Sequence, residues 1–167
     1  MTNEPNEPTT PAIEALDRAG IPFRVVRTQR AGSAEESASL QGIPVEALLR
    51  TLVVRRGEDD YVFVIVPAGR RFDWPRLRTH LGVRRLTLPD ADEARAATGY
   101  ERYTITPFGS TRAWPVLVDA AAMDEPVLSI GGGAFGVSAH LSPADLVAAS
   151  DAEVVDLSGA EDAPASA

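Results

Sequence analysis

Seven residues, LLRTLVV from Leu48 to Val54, set a cation, Arg50, at the mouth of a largely apolar strand. A second run, YVFVIVP from Tyr61 to Pro67, begins shortly after, and the GEDD between the two has the composition of a turn. Both runs are rich in β-branched and aromatic residues, which suit a pleated, packed surface, so the pair reads as a hairpin of core strands.

Outward from the hairpin, the chain is punctuated by caps. Thr10 and Pro11 form an N-cap and first-turn pair, Ile13 and Leu16 make an apolar stripe, and Gly20 ends that helix. A strand PFRVVRT follows, then Ser33 with Glu36 as a capping box for a helix that stops at Gly42. One helical turn, PVEALL, delivers Arg50. Beyond the hairpin, Asp73 caps a helix through Leu81 that Gly82 terminates, Val83 to Leu88 reads as a strand, and Asp90 caps a helix ending at Gly99. An irregular loop reaches Gly109, after which WPVLVD, PVLSI and AFGVSA read as strands and Ser142 with Pro143 starts the helix SPADLVAAS. Strands and helices mix without a βαβ rhythm. The expected fold is therefore α+β, a mixed, partly barrel-like β-sheet surrounded by short helices. One domain over 11–157 is expected, with residues 1–10 and 158–167 as flexible polar tails.

Composition narrows the chemistry. The chain of 167 residues has no cysteine, which removes disulfides, thiol nucleophiles and thiolate-bound metals. No apolar run approaches the roughly 20 residues of a membrane helix, and MTNEPNEPTTP lacks the regions of a signal peptide, so a cytoplasmic protein without a membrane partner is expected. The formal net charge of −8 argues against a phosphate-rich partner, but many of the acids lie near the two ends. From Arg50 to Arg85 arginines outnumber acids, as scattered solvated charges or as a phosphate-facing patch. All 16 basic residues are arginine.

The candidate site residues each carry a plain alternative. Arg50 can neutralise a phosphate or polarise a carbonyl, or simply extend off the end of a core strand. Thr51 beside it reads most simply as a strand residue. The loop GYERYTITPFG, Gly99 to Gly109, is long and polar in its middle; Pro107 fixes its backbone, Phe108 offers an apolar wall and Gly109 permits close approach. The triplet Gly131, Gly132 and Gly133 can present backbone amides to an anion or make a tight connection between strands. Asp119, closing PVLVD, can bond a substrate amine or hydroxyl or form a turn. His80 and His140 have neither metal-ligand spacing nor a triad pattern.

The ordered blocks SAEESASLQGIP, LLRTLVV, FVIVPAGRRFDWPRLRTHLG, RRLTLP, TGYERYTITPFG, PVLVD and SIGGGAFGVSAHLSPADL resemble the YbaK/prolyl-tRNA synthetase-associated editing domains. The resemblance spans roughly Gly32 to Leu146. It implies a mixed β structure ringed by helices, with a pocket for the aminoacyl end of tRNA, and hydrolysis of the ester joining a wrong amino acid to the terminal ribose. It further implies attack by water aided by the substrate's own ribose hydroxyl, no metal or organic cofactor, and as partners tRNA and an aminoacyl-tRNA synthetase. The family's lysine falls at Arg50, and its Gly-x-x-x-Pro loop at Tyr103 to Pro107, with tyrosine in the glycine's place and Thr106 beside the proline. On that basis Arg50, Tyr103, Thr106 and Pro107 are the catalytic candidates. Thr51, Phe108, Gly109, Asp119, Gly131, Gly132 and Gly133 are the substrate-binding ones. Arginine keeps the charge with a wider, planar head. Tyrosine brings volume and a cost at positive φ. Three readings follow: a deacylase with a modified pocket, an inactive relative that binds tRNA ends or nucleotides, or a hydrolase of another small acyl or nucleotide ester.

Overall fold

The hairpin is the centre of the molecule. In the computed structural model, which describes residues 9–160, strand β2 (Leu49–Gly57) pairs antiparallel with β3 (Asp60–Pro67), Arg50 opposite Val66 and Thr51 opposite Ile65. Along β3 successive side chains alternate between two apolar layers. Val62, Val64 and Val66 pack with Val54, Leu77, Leu117 and Leu157, while Tyr61, Phe63 and Ile65 pack on the opposite side with Leu16, Leu128, Ile130 and Leu146. Burial on both faces accounts for a strand without polar alternation.

The other elements, in chain order, are α1 (Pro11–Ala19), β1 (Arg24–Arg27), α2 (Ala34–Gln41), β4 (Arg70–Phe72), α3 (Trp74–Leu81), α4 (Ala91–Thr98), β5 (Val116–Asp119), β6 (Leu128–Gly131), β7 (Val137–Leu141), α5 (Pro143–Ser150), β8 (Glu153–Val155) and β9 (Ser158–Ala160). Single 3-10 turns cover Val45–Ala47 and Ala120–Asp124. The strands form three sheets, ordered β2-β3-β5-β8, β1-β7-β6 and β4-β9. β5 lies parallel to both β3 and β8, and the remaining pairings are antiparallel. The fold is thus mixed α+β, and among the described residues no sheet closes on itself. A single parallel bridge, Leu48 to Ser129, brings the start of β2 against β6 and so joins the two larger sheets at one corner.

The caps act as expected: Thr10, Ser33, Asp73, Asp90 and Ser142 each accept from a backbone N–H three residues on. Differences from the sequence reading lie where pairing, not capping, decides. Val83 to Leu88 is no strand; it contributes one bridge, Thr87 to Arg55, because the ladder goes no further and Leu88 remains exposed. AFGVSA begins its strand only at Val137, since Ala134 to Val137 is a tight turn with the Val137 N–H on the Ala134 carbonyl at 3.2 Å. Two tail boundaries also shift. Thr10 is buried and donates through Oγ1 to the Gly132 carbonyl at 2.6 Å, and Ser158–Ala160 pairs with β4. Thr9 is exposed, and residues 1–8 and 161–167 of the expected tails lie outside the described residues. No helix among the described residues is long and apolar enough to cross a membrane.

Candidate functional site

The corner where β2 meets β6 opens into a cleft of about 580 Å³. One wall is the segment from Thr28 to Ala34 together with the inner face of α2. Leu48 to Arg50, Tyr103, Thr104, Ser129, Gly131 and the turn 134–138 complete the lining. A backbone contact and a helix cap hold this shape. Thr28 N–H donates to the Gly136 carbonyl at 2.8 Å, and Gly136 sits at φ 74 where a Cβ would stand 2.4 Å from the Thr28 oxygen, so only glycine lets these segments meet. At the N-terminus of α2, Glu36 Oε1 accepts from Gly32 N–H at 2.9 Å while Ser33 Oγ accepts from Glu36 N–H at 3.0 Å, which ties the preceding loop to the helix.

Charge in the cleft has one sign. Arg30 and Arg50 are its only charged lining residues among the described ones, and both are exposed. Neither has a carboxylate partner among the described residues. A concave site with two unneutralised guanidinium groups favours an anion. Alternation along β2 sends Leu49 and Val53 into one apolar layer and sets Arg50 on the face of Val54, which packs in the other; Arg50 stays exposed because it stands at the start of the strand.

Behind the cations lies a neutral polar wall. Gln41 Nε2 donates to Ser37 Oγ at 3.0 Å, and Gln41 Oε1 accepts from Ser129 Oγ at 2.6 Å and pairs with His140 Nε2 at 2.8 Å. Gln41, Ser129 and His140 are all buried. Burial, with the Arg24 charge in addition, lowers the pKa of His140 below the ordinary histidine value, so the ring is neutral at pH 7 and donates through Nε2. Ser37 and Gln41 were legible only as an i, i+4 pair on one helix face; Ser129 and His140 carried no signal, because their partners are far away in sequence. Among the described residues no group of three His, Cys, Asp or Glu is placed to hold a metal ion.

Of the sequence candidates, the fold brings Arg50, Tyr103 and Gly131 to the cleft. Tyr103 takes the left-handed conformation, φ 72, at the third position of a turn closed by Thr104 N–H on the Glu101 carbonyl at 3.0 Å. That position favours glycine. The ring does not fill the cleft: the residue is 80% exposed and stands at its edge.

The other candidates lie outside the lining, each for a visible reason. Thr51 points away from Arg50 along the strand, opposite Ile65. Thr106 is fully buried, its Oγ1 accepting from Phe108 N–H at 3.4 Å, and Phe108 is part of the core, its carbonyl accepting from the Tyr100 hydroxyl at 2.6 Å. Pro107 between them does not border the cleft. Gly109, at φ 73, lies against the Pro11 backbone, where a Cβ would approach to 2.4 Å. Gly132 and Gly133 form the tight connection: Gly132 N–H donates to the Val137 carbonyl at 2.8 Å, and a Cβ on Gly133 would meet the Tyr100 ring at 2.9 Å. Asp119 is fully buried, accepting from Leu157 N–H at 3.0 Å and from the Ser158 hydroxyl, with Arg70 Nε 3.9 Å away. Its carboxylate anchors the entry to β9 and has no face toward the cleft.

Residues 28–149 match the aminoacyl-tRNA editing domain family. The chain belongs to that family. Among its relatives, a protein of Enterococcus faecalis named "Putative Cys-tRNA(Pro)/Cys-tRNA(Cys) deacylase EbsC" is 20% identical over 164 residues, 96% of this chain and 100% of the relative. A proline–tRNA ligase of Thermosipho africanus is 25% identical over 99 residues, which are 59% of this chain and 18% of the ligase. The same fold occurs in a crystal structure described as "a putative trans-editing enzyme for prolyl tRNA synthetase", with TM-score 0.82 and 24% identity, covering 92% of this chain and 99% of that one. The cleft lies within the matched segment, and the cation at its mouth is Arg50.

Proposed function

We propose that this chain is a freestanding aminoacyl-tRNA deacylase, which hydrolyses the ester of a misacylated tRNA in the cleft between α2, β2 and β6. The observation that carries the reading is Arg50, exposed and without a carboxylate partner among the described residues, at the mouth of an acid-free cleft in an editing-domain fold. The full-length relative named as a deacylase supports it, as does the match to part of a prolyl-tRNA synthetase.

In this reading Arg50 binds a phosphate or the acyl carbonyl of the 3′ end through its paired donors. The acyl group reaches toward the neutral wall of Ser37, Gln41 and Ser129. Water supplies the nucleophile, aided by the substrate's ribose hydroxyl as the family resemblance implies, since the ester is already activated. The backbone bordering the ester is that of Tyr103 and Thr104; Thr106 and Pro107 follow it in the same loop, outside the lining. Partners are the aminoacyl end of tRNA and the synthetase that mischarges it, in the cytoplasm where charged tRNA is used.

The test is release of amino acid from a panel of alanyl, cysteinyl, seryl and prolyl esters of tRNA. Turnover of at least one is expected, with Arg50→Ala lowering kcat/KM about 10- to 100-fold; a buried oxyanion donor is worth about 10²–10³, and Arg50 is exposed. Arg50→Lys should retain most of the activity. Tight binding of the panel without turnover would refute catalysis and leave a binding protein.

A further inference from the structure

Two aromatic rings border the cleft, and the reaction as described uses neither. Tyr103 is 80% and Phe135 40% exposed. Each carries a guanidinium: Arg102 Cζ lies 5.2 Å from the Tyr103 ring centroid and Arg30 Cζ 4.0 Å from that of Phe135. Arg102 and Tyr103 share the turn Glu101 to Thr104, whereas Phe135 lies between β6 and β7 and Arg30 in the segment after β1, so the two rings converge only in the folded chain.

Tyr103 is the more telling of the two. A non-glycine residue in the left-handed region is disfavoured because its Cβ crowds the following carbonyl, and this one gains little packing in return, since its ring projects into solvent from a turn closed by Thr104. Exposed aromatic faces backed by arginine, beside a cleft whose only charges among the described residues are cationic, are the features with which proteins hold unpaired nucleotides: bases stack on the rings while phosphates meet the guanidinium groups.

We propose that Tyr103 and Phe135 form a stacking platform for the unpaired bases at the 3′ end of an RNA, placing the acylated ribose in the cleft beside Arg50. The proposal rests on the deacylase reading for the identity of the RNA, but not for the contacts themselves. The platform reads bases by their π-faces, so it is tolerant of sequence and selective for single strands over duplex.

The experiment is fluorescence anisotropy with an unacylated, dye-labelled single-stranded RNA carrying the tRNA 3′-terminal sequence, and with the same RNA made abasic at its last two positions. Both residues are exposed, so substitutions there leave the core intact. Tyr103→Ala and Phe135→Ala should each weaken binding of the intact RNA about 5- to 150-fold, the range of base stacking on one aromatic side chain. Tyr103→Phe and Phe135→Tyr should bind like the parent, and the abasic RNA should bind weakly and alike to all five proteins. Unchanged affinity of the alanine variants, or equal losses toward intact and abasic RNA, would overturn the platform, as would no binding of the intact RNA by the parent at low salt. Because the probe carries no ester, platform and catalysis fail separately: stacking without turnover refutes only the deacylase, and turnover without base-dependent binding refutes only the platform.

Discussion

Replacing Asp119 with alanine separates a structural carboxylate from a substrate-binding one. The side chain is fully buried, and its two oxygens accept from the Leu157 N–H and the Ser158 hydroxyl, while Ser158 Oγ also accepts from Arg70 Nε at 2.7 Å. Alanine leaves that N–H and O–H buried without acceptors and Arg70 without its counter-charge. Hydrogen bonds to a charged group contribute about 1.5–3 kcal/mol each, and removing one partner of a buried ionic network costs about 3–5 kcal/mol. For a domain of this length each kcal/mol moves the melting temperature by about 2–4 °C, so a fall of roughly 6–20 °C is expected. Asp119→Asn keeps one acceptor for Leu157 and should cost about 1–3 kcal/mol. Urea and thermal unfolding measure the loss. Hydrolysis of misacylated tRNA at 25 °C, where most of both variants remains folded, should stay within about threefold of the parent, an effect smaller than 1 kcal/mol. A variant that melts like the parent but has lost kcat/KM would overturn the structural role and return Asp119 to the substrate.

Gly136→Ala should open the cleft wall, because its Cβ would meet the Thr28 carbonyl oxygen at 2.4 Å and its φ is 74; a destabilisation of about 2 kcal/mol or more by urea unfolding, with weaker RNA binding, is expected. Gln41→Leu removes the acceptor shared by Ser129 and His140 and should cost about 1–3 kcal/mol, and a change in preference among acyl groups in the ester panel would place the wall against the substrate side chain. Tyr100 gives a pH signature: burial pushes its hydroxyl up to about 12 from 10, so the folded form holds its proton longer than the unfolded chain does. Stability should therefore be full below about pH 10 and fall as pH rises toward 12; Tyr100→Phe should flatten that fall while costing about 1 kcal/mol at neutral pH, where the Phe108 carbonyl loses its donor. His140 works in the opposite sense: its lowered pKa adds stability above the ordinary histidine value of 6.5 that is lost as pH falls below it, and a pH series of melting temperatures for His140→Gln should lack that acid limb.

Local features were legible because their causes are local. Caps at Thr10, Ser33, Asp73, Asp90 and Ser142 join atoms three residues apart, and the hairpin follows from two apolar runs and a short turn. Residues 70–72, 153–155 and 158–160 went unread as strands, since three residues carry no periodicity and each needed a partner supplied elsewhere: β9 for β4, and β5 for β8. Val83 to Leu88 failed in reverse, with strand composition but no edge to extend.

The site divides along the same line. Arg50 at the mouth of a core strand, an editing-domain family and the lack of thiol chemistry were all legible in the linear chain. Packing between distant segments is what gathers Arg50, Tyr103 and Gly131 at one cleft and turns Asp119, Thr106 and Phe108 into the interior. It also built the neutral wall, whose hydrogen bonds join Gln41 to partners 88 and 99 residues away. The reason is physical: alternation along a strand fixes which residues face alike, but which face becomes cavity and which becomes core depends on what the rest of the chain packs against it.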